Sequence, residues 1–110
     1  MAKGDFLGEF ELYVMLALAA REPEAYGVSI RQAIAERTGR DVAIGAVYAT
    51  LGRLEDKGLV RYELSDPLPV QGGRARKYFT LTAAGRRALA HSTAMLTRMM
   101  QGWRPRIEPR

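Results

Sequence analysis

Residues 9–20 restrict what this chain can become more than any other segment. Phe10, Leu12, Tyr13, Val14, Met15, Leu16 and Leu18 fall within it. Wound into a helix, that order spreads apolar side chains around most of the circumference. A helix apolar on nearly all sides must be covered on nearly all sides. A chain of 110 residues forms one domain with a modest core, so one side of this helix is expected to meet that core and another a second chain. The longest apolar run, residues 12–20, contains Tyr13 and is too short to span a bilayer, and no membrane partner is expected. Lys3 precedes Asp5, and no small-residue cleavage site follows an apolar stretch, so the start of the chain does not look like a secretory signal.

Arg21-Glu22-Pro23 should end this helix, because proline disfavours helical geometry in the residue before it. Tyr26-Gly27 then leads into a helix predicted over 28–38, anchored by Val28, Ile30 and Ile34, with Gly39 where a left-handed C-terminal cap belongs. Arg40-Asp41-Val42 links it to a third helix over 44–57, closed by Gly58. Two short helices joined by a few residues that include glycine form a helix-turn-helix pattern. Strand-like runs follow at 59–64 and 76–81, the second alternating Lys77/Phe79/Leu81 against Arg76/Tyr78/Thr80. Between them Pro67, Pro69 and Gly72-Gly73 punctuate a long loop, so the pair makes a hairpin, or wing, with a basic tip.

Thr82 is a suitable N-cap for a last helix reaching about residue 102. Leu89, Leu96, Met100 and Trp103 recur there at spacings of seven, four and three, with Met95 and Met99 beside them and Arg86, Arg87 and Arg98 on a wet face. That stripe has no obvious partner left within the chain, which assigns it to a second copy. The fold expected is mainly α with a small β-hairpin: a winged helix-turn-helix over 1–81, then a dimerisation helix and a frayed tail over 82–110. Phe10, Tyr13, Leu89, Leu96, Met99, Met100 and Trp103 are the candidate dimer contacts.

Charge is distributed unevenly. The net charge is +5, but residues 1–69 hold eight Lys/Arg against eleven Asp/Glu, and residues 70–110 hold nine against the single acid Glu108. A polyanion should therefore meet the second half, although a solvated basic helix without a partner would look the same. Cysteine is absent, which excludes disulfides and thiolate metal sites and fits a cytoplasmic location. His91 is the only histidine, and no carboxylates cluster near it in sequence. Gly72-Gly73 is followed by no helix-opening Gly-Lys-Ser/Thr and is not a phosphate loop. No catalytic residue, metal or cofactor is expected, and the chain does not read as an enzyme.

The third helix carries the most information about function. Ile44, Val47, Leu51 and Leu54 form a face suited to the core, and Gly45, Ala46, Ala49, Thr50, Gly52 and Arg53 are expected on the opposite one. A solvent-facing helix with no task more often carries Glu, Lys and Gln. Small side chains let a helix backbone approach the floor of a major groove, where Arg can read guanine and Thr several partners. Close packing against another part of the protein would select small residues too. Tyr48 lies at the rim, suited to packing its ring inward while its hydroxyl reaches a phosphate, or to a structural role alone. On the wing, Gly72 to Lys77 offer Arg74, Arg76 and Lys77 for the minor groove and the phosphates, or merely for solubility.

These residues carry a family resemblance. The run from Gly45 to Val60 is similar to the recognition-helix signature of the PadR family of bacterial transcription regulators. Phe10-Glu11-Leu12, Ala25-Tyr26-Gly27 and the stretch from Gly72 to Gly85 match it as well, so the resemblance spans residues 5–90. It implies a winged-helix homodimer built through its first and last helices, of the compact class with one helix after the wing. It also implies repression of nearby genes and release from DNA by a small ligand or other signal. Carried over by residue, Tyr48 and Arg53 would be recognition-helix contacts, and Arg74, Arg76 and Lys77 wing contacts. Ala43 departs from the pattern, standing where a Ser or Thr cap is expected, with Asp41 as the candidate substitute. Three functions follow for comparison: a repressor of palindromic double-stranded DNA sites, a winged helix that binds another protein, and a DNA-binding sensor. In the sensor, Met95, Met99, Met100 and Trp103, with Phe10 and Tyr13 across the dimer, would hold a small apolar effector.

Overall fold

A computed structural model of the chain describes residues 7–66 and 73–106. The loop positions Pro67, Pro69 and Gly72, the start of the chain with Lys3 and Asp5, and the last four residues lie outside that description. Four helices and one hairpin follow in order: α1 (Glu9–Arg21), α2 (Gly27–Thr38), α3 (Ile44–Asp56), β1 (Val60–Leu64), β2 (Lys77–Leu81) and α4 (Ala83–Met100). None of the described helices is long and apolar enough to cross a membrane.

Each boundary has a local cause. The Glu11 carboxylate accepts from the Gly8 N–H at 3.0 Å, satisfying one donor left free at the start of α1. Glu22, held before Pro23, has an extended ψ of 143° and stops that helix. Gly39 closes α2 at φ 74°, and Gly58 turns the chain after α3 at φ 76°. Thr82 caps α4 by accepting from the Gly85 N–H at 3.0 Å, while its own hydroxyl donates to the Gly58 carbonyl at 2.6 Å. Asp41 does not cap α3. The N-cap is Ala43, with no side-chain bond, and Asp41 instead accepts from Arg31 at 3.1 Å.

The strands pair antiparallel with Val60 opposite Leu81 and Leu64 opposite Lys77. The second strand begins one residue later than expected because the Ser65 hydroxyl accepts the Arg76 N–H at 2.8 Å, where a ladder bond would otherwise continue. Phe79 donates its N–H to the Ala25 carbonyl at 2.7 Å, so the turn before α2 lies along the outer edge of the hairpin. Val14, Met15 and Leu18 of α1, Ile30 and Ile34 of α2, Val47, Leu51 and Leu54 of α3, and Phe79 and Leu81 of β2 close into one core.

The chain covers only one side of α1, and Leu16 on the other stays exposed. In α4 only Gly85 is buried, set against the Leu59 carbonyl so closely that a Cβ would strike it. Leu89 differs from expectation, since it packs partly against the chain's own core. Beyond it α4 leaves the domain, with Leu96, Met99 and Trp103 exposed, Met99 to 82%.

Candidate nucleic-acid interface

Helix α3 buries Val47, Thr50, Leu51 and Leu54 and turns Gly45, Ala46, Tyr48, Ala49 and Arg53 outward, with Ile44 and Gly52 half-buried. Apart from its own turn of helix, no described heavy atom lies within 4 Å of where a Cβ would stand on Gly45 or Gly52. The small-residue face is therefore not packed against any other part of the described residues. Near its start, Ala46 opens onto a depression of about 460 Å³ shared with Phe10 and Arg40. Glu55 and Asp56 are exposed on the last turn, so a polyanion could approach α3 closely only over its first three turns.

Thr50 corrects the sequence expectation. It was placed on the outer face, but it is 1% exposed. At 100° per residue, position 50 falls in the same stripe as 47, 51 and 54, and no base edge can reach its hydroxyl. That hydroxyl accepts from the Arg53 guanidinium at 2.9 Å instead, which ties down one end of Arg53 while the side chain stays exposed.

The wing divides its cations between two environments. The Lys77 ammonium lies over the Tyr62 ring, 4.3 Å from its centroid. Arg76, one residue earlier, points to the other side and stacks on Tyr26 at 4.0 Å. It also donates to the Tyr78 hydroxyl at 3.4 Å. That bond raises the Arg76 pKa above its ordinary value against a smaller opposing effect of burial, and the oxygens of Tyr26, Tyr78 and Tyr48 add to the rise. Arg74 is exposed. Arg76 thus joins Tyr26 and Tyr78, and Tyr48 lies across the adjoining Gly27, whereas Lys77 faces Tyr62 instead. Tyr26 and Tyr78 belong to this surface but were not singled out from the sequence. The usable signal was the i, i+2 placement of Arg76 and Tyr78 on one face of a strand.

Pairing divides the cations of the described residues into two sets. Arg21, Arg31, Arg40, Lys57, Arg61 and Arg86 each contact a carboxylate at 2.8–3.3 Å. Among the described residues, Arg53, Arg74, Arg76 and Lys77 contact none, and neither do Arg37 or the α4 and tail cations Arg87, Arg98, Arg104 and Arg106. The acids that outnumber cations in the first half are thus largely engaged by partners, and the surface of α3 and the wing keeps its positive charge.

The candidate dimer contacts fall into two groups. Phe10 and Tyr13 pack partly on the core, with the Arg40 guanidinium 5.8 and 5.6 Å from their ring centroids. Leu96, Met99, Met100 and Trp103 are exposed on or just beyond the free end of α4. Leu12, His91, Met95, Leu96 and Met99 line a groove of about 250 Å³ between α1 and α4.

An open-faced helix at the second position of a helix-turn-helix, with a cationic hairpin beside it, defines a winged helix-turn-helix. The family model of the PadR-like transcriptional regulators matches residues 15–91, and the chain belongs to that family. A PadR-like transcription factor from Bacteroides fragilis superposes with a TM-score of 0.69 at 28% identity, covering 84% of each chain. A PadR family transcription regulator from Clostridium difficile gives 0.68 at 26% identity, over 86% of this chain and 96% of that one. An uncharacterized 37.1 kDa protein in transposon TN4556 of Streptomyces fradiae is 38% identical over 90 residues. The chain spans only 24% of that relative's length. Family and fold together support a DNA-binding regulator.

Proposed function

We propose that this chain is a sequence-specific repressor that reads a palindromic operator as a homodimer. The observation that carries the proposal is the open face of α3: Gly45, Ala46 and Ala49 outward, nothing packed over them, and unpaired cations on the adjoining wing. Residues 1–81 serve as the DNA-binding domain and 82–110 as the dimerisation helix and tail. The first turns of α3 enter the major groove, where Arg53 reads a base edge and Tyr48 reaches the backbone. Arg74 and Lys77 hold the adjacent minor groove and its phosphates. Two recognition helices related by a dyad would read half-sites roughly 10 bp apart. The exposed stripe of α4 and the uncovered side of α1 support the dimer, since apolar side chains as free as Met99 and Trp103 are best explained by a second copy. A small apolar effector that releases the DNA would bind in the α1–α4 groove, and the protein would act in the cytoplasm without catalysis.

Selection of bound sequences from a random duplex pool, followed by light scattering of the complex, tests the proposal. A palindromic consensus bound by two chains is the expected result. Failure to enrich any sequence, with binding that does not change between 50 and 200 mM salt, would favour a protein partner instead.

A further inference from the structure

Four side chains from three elements converge over Gly27. Tyr26 precedes α2, Tyr48 projects from α3, Tyr78 lies on β2, and Arg76 stands one residue before that strand. The Tyr48 ring occupies the space where a side chain on residue 27 would begin, so glycine there is what lets it lie across the start of α2. Tyr26 and Tyr78 meet edge to face at 5.9 Å, and Arg76 stacks on the first while donating to the hydroxyl of the second. All four stay at least partly open to solvent. No carboxylate among the described residues pairs with Arg76, in contrast to the six neutralised cations elsewhere.

Such a cluster has a definite chemical preference. A guanidinium held flat on a ring keeps unused N–H donors, and each phenol hydroxyl can turn its proton toward an acceptor. One fixed positive charge, up to three neutral donors and no competing anion suit a singly charged oxyanion approached from the side. Arg76, Tyr26 and Tyr78 already hold one another and Tyr48 lies across Gly27 beside them, so little conformational freedom is lost when the anion arrives.

We propose that Tyr26, Tyr48, Tyr78 and Arg76 form a preassembled clamp for one backbone phosphate of duplex DNA, located where the wing meets the recognition helix. Arg76 supplies the charge and the phenols supply donors. The clamp fixes how deeply α3 sits in the groove without reading sequence. This inference rests on the DNA-binding function proposed above.

The test uses the full chain and its selected operator. Tyr26→Phe and Tyr78→Phe keep the rings, and therefore the stacking, but delete one donor each; the triple variant with Tyr48→Phe deletes all three. Each single variant should weaken binding about three- to tenfold, equally for operator and for random duplex, with an unchanged thermal melt. Methylphosphonate replacement, one position at a time, should find one phosphate per half-site whose neutralisation weakens the wild type several-fold more than the triple variant, which keeps only the Arg76 charge. Lys77→Ala should retain full sensitivity at that position. Wild-type affinity in the triple variant, or undiminished sensitivity at every position, would overturn the clamp while leaving DNA binding intact. Absence of any duplex binding by the wild type would overturn the DNA-binding function itself. Tight saturation by inorganic phosphate alone, followed by tyrosine fluorescence, would make this a free-anion site and overturn the assignment to DNA.

Discussion

Gly45 sits in the first turn of α3 with open space around it, and its φ is not among the positive values of the chain. In that setting glycine has no conformational reason to be there, and it weakens the helix by about 0.8–1.0 kcal/mol relative to alanine. Gly52 is in the same position. Gly45→Ala and Gly52→Ala should each therefore stabilise the protein, and the double variant by about 1.5–2 kcal/mol, visible as a higher urea midpoint with an unchanged slope. Gly45→Leu should also fold at least as stably as wild type, because leucine is a good helix former and meets no neighbour. The same leucine, however, projects from the surface proposed to face the groove floor. Holding the helix away forfeits at least one base contact, worth about 1–3 kcal/mol, so operator affinity measured by anisotropy should fall at least about fivefold. More stable yet weaker in binding is the signature of a surface kept small for a partner. Wild-type operator affinity in Gly45→Leu would refute the apposition of this face to DNA. Loss of stability in Gly45→Ala would refute the open geometry.

Gly85→Ala should have the opposite effect on stability. A Cβ there strikes the Leu59 carbonyl, so a loss of about 1–3 kcal/mol is expected from overpacking, read in the same denaturation assay. Met99→Asp should leave the monomer fold untouched, because the residue is 82% exposed, and should shift light scattering from dimer to monomer. Arg53→Ala should weaken operator binding by about 1–3 kcal/mol, and Lys77→Ala should weaken all sequences and lower the salt slope by about one unit. Glu11 sets a pH dependence. Burial pushes its carboxyl up, but the Gly8 N–H, the Lys57 ammonium and the Arg53 guanidinium together hold it below its ordinary value of 4.5. The folded state thus gains stability above the unfolded value and loses it as pH falls from about 4.5 through the lower folded one. Urea midpoints between pH 3 and 6 should drop accordingly in wild type and less in Glu11→Gln.

Much of the scaffold was legible because its punctuation is local. Gly39, Gly58, Pro23 and Thr82 act through their own φ, their missing N–H or a hydroxyl three residues from its partner, and each marks an element end within a residue or two. The outer face of α3 was legible from side-chain size, and the same cue misplaced Thr50. A small polar residue looks at home beside Ala49 and Gly52, whereas helical angle puts it in the stripe of Val47 and Leu54. What the sequence hid was non-local. Nothing in the spacing of Tyr26, Tyr48 and Arg76 says that they meet, because their meeting depends on the Ala25 carbonyl joining β2 and on the space left by Gly27. Leu89 was hidden in the same way: a stripe that looks uniform along α4 has one residue packed partly on the core and the rest on free surface.

That division of α4 bears on how a signal could travel. Its first turn is bound to the rest of the fold from three directions. Thr82 bonds Gly58 at the end of the recognition helix, Gly85 abuts the Leu59 carbonyl, and Arg86 contacts Glu22 at 2.9 Å. Glu22 in turn accepts from the Leu81 N–H of the wing at 2.8 Å. The root of α4, the wing and the end of α3 are therefore tied together, and tilting the helix at its base would break several short contacts at once. The stretch from Met95 onward has no comparable anchor among the described residues. An effector in the α1–α4 groove, acting on Met95, Leu96 and Met99, would change the relation between two such bodies and leave each one intact. The spacing of the recognition helices would then carry the signal, and the fold of each domain would not.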